Sequence, residues 1–281
     1  MSNAANWTCP SCHKAVPTPF CAQCGEEPLL PHDLTLRGLA EKLLHAFTSI
    51  DARVLRTALC LLRFPGKLTL AWTAGVRKPY VAPFALFLIA NAIFFGVQWL
   101  TGANIFSSTL DSHLHHQDWS ELATSLVTRR VEAMHTTIEL YAPAFDRSAV
   151  LIAKSLIVLM TIPFALLLPL VFHRRHAPFM LHVVFSVHLY TFLLLLFCAA
   201  MLAAKGSALV GLGGLDSPHV DTILSIVNVA ACAAYLYLAI ARVYGARGAA
   251  RALQTVVLTV AVAAIVLGYR FAVFLITLYS T

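Results

Sequence analysis

Residues 179–203 read FMLHVVFSVHLYTFLLLLFCAAMLA, a stretch without Asp, Glu, Lys or Arg. About 20 such residues in a helix cross a hydrocarbon core about 30 Å thick. Four further apolar stretches of comparable length lie at 80–100, 149–172, 219–241 and 252–279. The chain is therefore predicted to be an all-α integral membrane protein with a five-helix transmembrane bundle over residues 80–281.

The composition agrees with a membrane protein. Of the 281 residues, 59% are hydrophobic and 12% are charged, and the mean hydropathy is +0.77. Soluble domains carry roughly 25% charged residues. The net charge of +7 is explained by the collection of cations on one side of a membrane, so it does not indicate nucleic acid.

The charges divide unequally between the two predicted sides. Residues 1–79 and the connections after the second and fourth spans hold fourteen Lys and Arg, whereas the opposite side holds four cations and eight acids. Cytoplasmic loops carry the excess of cations in membrane proteins. The sequence thus predicts a cytoplasmic N-terminus and an external C-terminus.

Two C-x-x-C pairs stand near the N-terminus, and their cysteines are Cys9, Cys12, Cys21 and Cys24. This spacing is typical of a structural zinc ribbon, here over residues 1–30, holding one Zn²⁺. Cytosolic thiols stay reduced, which favours metal over disulfides unless the orientation is reversed. An iron centre would use the same four ligands. With four thiolates on the ion, no position is open for catalysis.

Residues 31–79 are predicted to form basic amphipathic helices at the membrane interface. A helical stripe runs through Leu36, Leu39, Ala40, Leu43, Leu44 and Phe47. The cations expected to face lipid headgroups are Arg53, Arg56, Arg63, Lys67, Arg77 and Lys78. The alternative is that these helices pack on the end of the bundle, and the two arrangements are compatible.

An external insert is predicted over residues 101–148, with a helix from Trp119 to about Leu140. Just before it, His113, His115 and His116 form a weak candidate for external metal binding, because neutral imidazoles bind zinc, copper or nickel. The alternative is a set of solvent-exposed histidines.

Three polar residues on different predicted spans fall near the membrane midplane: Asn91, His188 and Asn228. Each lies roughly 14 to 17 Å deep at 1.5 Å per helical residue. They indicate either a solute or proton path or simple hydrogen bonds between helices.

Five short motifs stand between residues 24 and 84: Cys24-Gly25, Leu55-Arg56-Thr57, Pro65-Gly66-Lys67, the run from Gly75 to Tyr80, and Pro83-Phe84. Together they resemble an uncharacterised family of bacterial multi-pass membrane proteins with an N-terminal zinc ribbon. The similarity covers about residues 5–90. It implies a bacterial cytoplasmic (inner) membrane protein, and it supplies no reaction or catalytic residues.

No catalytic motif stands out, which disfavours an enzyme. One hypothesis is therefore a membrane-anchored adaptor or assembly factor, whose ribbon docks a protein and whose basic helices contact membrane lipid. The alternative is a small permease or channel for a solute or lipid, with the ribbon as a regulatory handle. Nucleic acid is disfavoured as a partner because Glu26 and Glu27 closely follow the last of the four cysteines.

Overall fold

The computed structural model describes residues 7–9, 13–18, 20–23, 52–76, 79–102, 105–106, 108–175, 177–209, 211, 214 and 217–281. It divides into two compact units, Met1–Arg53 and Val54–Thr281. The predicted amphipathic helix over 36–47 lies outside the described residues, as do Cys12, Cys24, Arg77 and Lys78.

The first unit contains a small antiparallel hairpin. Strand β1 (Trp7–Thr8) pairs with β2 (Ala15–Val16), so that Trp7 lies opposite Val16 and Thr8 lies opposite Ala15. Two residues per strand are too few to be stable in water alone. Side-chain contacts, or a bound ion, must therefore support this hairpin.

The second unit consists mainly of helices. Helix α1 covers residues 52–63. It is followed by α2 (Lys67–Thr73), α3 (Pro83–Thr101), α4 (Leu110–His115), α5 (Ser120–Ala133), α6 (Ile138–Leu156), α7 (Thr161–Val171), α8 (Phe179–Leu209), α9 (Pro218–Tyr244) and α10 (Gly248–Ser280). The predicted all-α class of the membrane region is thus confirmed.

Among the described residues, four helices are long and apolar enough to cross a membrane, and a bent pair makes a fifth span if it is counted as one. They are α3, α8, α9 and α10, each close to its predicted bounds. α8 is central, because 67% of its most apolar window is buried, against 22–28% for the other three. The charge-free stretch 179–203 accordingly forms the axis of the bundle.

The second predicted span, 149–172, is bent, and it counts as a membrane span if its two helical parts are taken together. Its residues belong to α6, a 3₁₀ turn (Ile157–Met160) and α7, and the two helical parts meet at 56°. Pro163 lacks an N–H and its ring clashes with the carbonyl one turn earlier, which accounts for a break just before it. The hydroxyls of Thr161 and Ser186 donate to the carbonyls of Val158 and Thr161.

The predicted helix of the external insert is also corrected. It ends at Ala133, because His135 adopts a left-handed φ of 52° and α6 starts only three residues later, at Ile138. A capping pattern marks where a helix begins, but a left-handed residue other than Gly or Asn is not evident from sequence. The insert is therefore built from α4, α5 and the first half of α6.

The contacts between helices define two ends of the bundle. His182, near the start of α8, lies 2.9 Å from the hydroxyl of Tyr244 at the end of α9, and the hydroxyl of Tyr141, near the start of α6, donates to the carbonyl of Leu278 in α10. The α7–α8 and α9–α10 turns thus share one end, named here the arginine end. The insert and the α8–α9 turn share the other, the acid end. The eight Asp and Glu that follow residue 52 fall within 111–146 and 216–221.

Candidate functional site

The hairpin of the first unit fixes the backbone that carries Cys9. The Cys9 amide donates to the carbonyl of Lys14 (2.9 Å), and the His13 amide donates to the carbonyl of Cys9 (2.8 Å). His13 has a φ of 57°, in the left-handed region that lets a chain close a tight turn. The first residue of the first C-x-x-C pair is therefore held by backbone hydrogen bonds to His13 and Lys14.

Cys9 and Cys21 come from different C-x-x-C pairs, yet both side chains are buried in one cluster with Val16, and Trp7 packs against it. The indole N–H of Trp7 donates to the carbonyl of Thr18 (2.9 Å). This placement fits a metal ion held by four thiolates, since each C-x-x-C pair would bind the ion from one side. Within the described residues, no group of three or more His, Cys, Asp or Glu is positioned for a metal.

Helices α1 and α2 pack into the bundle with one face each. Thr57, Leu61 and Thr69 are at most 1% exposed, and the Val81 amide donates to the hydroxyl of Thr57 (3.0 Å). The predicted lipid-facing cations among the described residues are exposed, namely Arg53, Arg56, Arg63 and Lys67. Apolar side chains are exposed beside them, including Leu55, Leu59 and Leu62. The packed arrangement is therefore observed, and an outward face remains that suits a lipid interface.

The Pro65-Gly66-Lys67 turn connects α1 to α2 and meets the end of α9. The Arg242 guanidinium donates to the carbonyl of Pro65. Gly66 has a φ of 81°, and a Cβ there would lie 2.9 Å from a methyl of Val243 and 3.0 Å from the carbonyl oxygen of Ala239. A side chain at this position would be strained twice, by backbone conformation and by contact. The turn is thus a fixed docking point of α1 and α2 on the bundle.

His188 is tied to α2 rather than to a polar network at the midplane. Its Nδ1 lies 2.9 Å from the hydroxyl of Thr69, and both side chains are buried. Asn91 is half-buried and its Oδ1 has no hydrogen-bond partner within the described part of the chain. Asn228 lies on α9 in the wall of a cavity of about 410 Å³, together with Asp221 and Arg270. The structure gives these three predicted residues separate surroundings.

Sequence reasoning missed Thr69 and Arg242, which form the contacts just described. A threonine on the apolar face of a short helix and an arginine at a helix end are too common to indicate a partner. Arg270 in α10 also contacts the insert, because its guanidinium donates to the hydroxyl of Ser108 (2.9 Å).

The three insert histidines have different surroundings. His113 is 2% exposed, and its Nδ1 accepts from the indole N–H of Trp119 (3.2 Å). Its ring lies 4.7 Å from that of Phe274. Burial, with Arg270 as a second cause, lowers the pKa of His113 to about 4.

His115 is instead exposed, and its Nδ1 lies 3.0 Å from a carboxylate oxygen of Asp111; His116 is also exposed. The structure therefore does not present the imidazoles of His113, His115 and His116 to one ion. A buried histidine here was not evident, because its apolar neighbours include Phe274, which is distant in sequence.

A family model for a protein of unknown function, DUF3667, matches residues 51–95. The matched residues include α1, the Pro65-Gly66-Lys67 turn, α2 and most of α3. No curated protein and no solved structure matches the chain. The similarity therefore centres on the element that docks into the bundle beside α8 and α9.

Proposed function

We propose that the chain is a multi-pass protein of the bacterial inner membrane that acts as an adaptor or assembly factor. In this proposal the arginine end faces the cytoplasm. A zinc ribbon formed by residues 1–30 docks a cytosolic or membrane protein, and the bundle anchors it.

One observation carries the metal site: Cys9 and Cys21, from separate C-x-x-C pairs, are buried in one small cluster. A ribbon of about 20 to 30 residues cannot bury a sufficient apolar core, so a structural ion would supply most of its folding energy. Cys12 and Cys24 would complete the tetrathiolate site. A metal with four thiolate ligands has no open position for a substrate, so the proposed role of the ribbon is to bind a protein rather than to catalyse a reaction.

The orientation is supported by the separation of charges in the second unit. The turns at the arginine end and the helix ends beside them carry Arg174, Arg175, Arg242, Arg247 and Arg251, whereas the segments at the acid end hold the carboxylates. The positive-inside rule places such an arginine end in the cytoplasm. The ribbon precedes α1 without an intervening span, so it would share that reducing compartment.

The metal is tested by measuring zinc and iron per chain in purified full-length protein. We expect one zinc, lost in the Cys9→Ser/Cys12→Ser variant and retained in Cys60→Ser, whose thiol lies in the core of the second unit. Wild-type protein without stoichiometric metal would contradict the ribbon.

The docking role needs a separate measurement. Quantitative cross-linking in intact membranes, followed by mass spectrometry, would compare wild type with the Cys9→Ser/Cys12→Ser variant at equal membrane abundance. We expect specific partners of the wild type to be lost in the variant and kept in Cys60→Ser. An identical partner set would contradict the adaptor.

A second candidate, a small permease, is favoured by the cavity of about 410 Å³ that holds Asn228, Asp221 and Arg270. It predicts that Asn228→Leu changes the accumulation of some small solute in cells. The matched control Val229→Leu alters the neighbouring residue, which is exposed on the apolar surface. Equal metabolite profiles for wild type and Asn228→Leu would contradict the permease.

A further inference from the structure

A large cavity opens at the arginine end, between the α7–α8 turn and the α9–α10 turn. Its volume is about 810 Å³, and its lining includes Phe172, Arg174, Arg175, Tyr244, Arg247 and Gln254. The rings of Phe172 and Tyr244 stack at 3.9 Å, which makes the wall between the two turns rigid. Arg175 also donates to the carbonyl of Gly245 (3.3 Å), so the two turns are tied together.

The cavity is strongly cationic. Three exposed guanidinium groups line it, and neither turn contains Asp or Glu. A guanidinium has five N–H donors, so Arg175 keeps donors beyond its bond to Gly245. Arginine presents these donors in a planar fork that matches phosphate oxygens. The chemistry of the lining therefore suits a phosphate group.

The start of α10 adds to this preference. Helix N-termini attract anions, because their first amides have no partner within the helix. α10 has no acid in its first turn, and its N-cap residue Arg247 makes no side-chain capping bond. Gln254, two turns along α10, adds an Oε1 that is buried and has no hydrogen-bond partner among the residues described.

The two helices that leave the cavity lead to an apolar groove. α7 packs against α10, and a groove of about 310 Å³ on the same pair is lined by residues such as Met160, Pro163, Ile265 and Gly268. From Gln254 to Ile265 the distance along α10 is about 16 Å. The exposed residues of α7 and of α10 between the two cavities are all apolar. This length and surface suit an acyl chain.

We propose that the arginine-end cavity binds the headgroup of an anionic phospholipid, whose acyl chain follows α7 and α10 into the apolar groove. The phosphate would contact Arg174, Arg175 and Arg247, and Gln254 would hydrogen-bond a headgroup hydroxyl. This site is distinct from the outward face of α1, where the cations lie on a convex helix. Basic pockets between spans are a known form of lipid-headgroup site.

Native mass spectrometry of the full chain in detergent tests the site, with phosphatidylglycerol and phosphatidylcholine of equal chain length as probes. We expect phosphatidylglycerol to bind at least tenfold more tightly. The Arg174→Gln/Arg175→Gln/Arg247→Gln variant should lose this preference. The control Arg129→Gln/Arg147→Gln/Lys205→Gln removes three exposed charges at the acid end and should keep it. Equal binding of both lipids, or equal losses in variant and control, would overturn the proposal.

Two further arms separate a lipid from a soluble phosphate. Gly268→Leu should fill the groove, because a Cβ there meets no neighbouring atom within 4 Å, and should weaken phosphatidylglycerol binding severalfold. Glycerol 3-phosphate should not displace the lipid at millimolar concentration. Displacement at lipid-like concentrations, with no effect of Gly268→Leu, would show that the cavity takes a soluble phosphate and would overturn the lipid assignment.

Discussion

Short helices cover both ends of the bundle, but they are held in different ways. At the arginine end, α1 and α2 attach through the Pro65-Gly66-Lys67 turn and the Thr69–His188 contact. At the acid end, α4 and α5 attach through an apolar and aromatic cluster around His113. The first attachment depends on backbone contact and hydrogen bonds, whereas the second depends on the packing of apolar and aromatic rings around His113. The two ends should therefore respond differently to substitution.

The largest expected effect concerns the backbone contact of Gly66. Gly66→Ala adds a Cβ within 3.0 Å of α9 at a φ of 81°, and should lower the free energy of unfolding by about 3 kcal/mol. The control Gly102→Ala also has a positive φ, of 73°, but open space around its Cβ, so it should cost about 1 kcal/mol. Thermal unfolding in detergent measures both. Equal losses in the two variants would mean that the close approach of Gly66 to α9 adds nothing to the cost of the positive φ.

The next effect is the pH dependence that His113 gives to the acid end. The pKa of His113 is about 4 in the fold and about 6.5 when unfolded. Between these values the unfolded chain binds a proton that the folded one does not, so stability falls as pH drops from 6.5 to 4. Allowing for solvent screening, the loss is about 2 kcal/mol. His113→Phe should remove this part of the pH dependence. If His113→Phe unfolds with the same pH dependence as the wild type, His113 is not the source of that dependence.

A smaller effect is expected where α2 meets α8. Thr69→Val keeps the shape of the side chain but leaves Nδ1 of His188 without its partner, which should cost about 1 kcal/mol. Thr73→Val is the matched control, since within the described part of the chain the hydroxyl of Thr73 bonds only to carbonyls of its own helix, and it should cost a few tenths of a kcal/mol. If the two variants unfold alike in detergent, the Thr69–His188 contact does not hold α2.

The smallest effect compares two arginines at the same end. Arg242→Gln removes the donor to the Pro65 carbonyl and should lower the free energy of unfolding by about 0.7 kcal/mol, because the group is exposed. Arg63→Gln removes an equal charge on the exposed face of α1 and should change it by less than about 0.3 kcal/mol. A larger loss in Arg63→Gln than in Arg242→Gln would contradict a stabilising role for the hydrogen bond between Arg242 and Pro65.

Hydropathy was sufficient to predict four of the spans, because a membrane helix is determined by the length and apolarity of one continuous segment. The segment 149–172 is equally apolar, but Pro163 and the 3₁₀ turn before it divide its helix into two parts. The amphipathic pattern predicted α1 but left its location open. One apolar face packs on the bundle and the other is exposed, and a helical stripe does not show which.

The candidate sites were predicted unevenly for a similar reason. The C-x-x-C spacing is local, and Cys9 and Cys21 do lie in one cluster. The histidine run 113–116 is also local, but the position of its members depends on Phe274 and Trp119, which pack around His113 and leave His115 outside. The alignment of Asn91, His188 and Asn228 by depth ignored rotation about each helix axis. Contacts across the bundle, such as Thr69–His188, have no signature in a single sequence.

The central claim is that the arginine end lies in the reducing compartment and the acid end lies outside. Single-cysteine labelling with a membrane-impermeant maleimide on intact cells tests it directly, with Arg247→Cys at one end and Lys205→Cys at the other, both exposed positions. The account predicts labelling of Lys205→Cys on intact cells and of Arg247→Cys only after the membrane is permeabilised, with the wild-type chain unlabelled on intact cells. Labelling of Arg247→Cys or of the native cysteines on intact cells would contradict it.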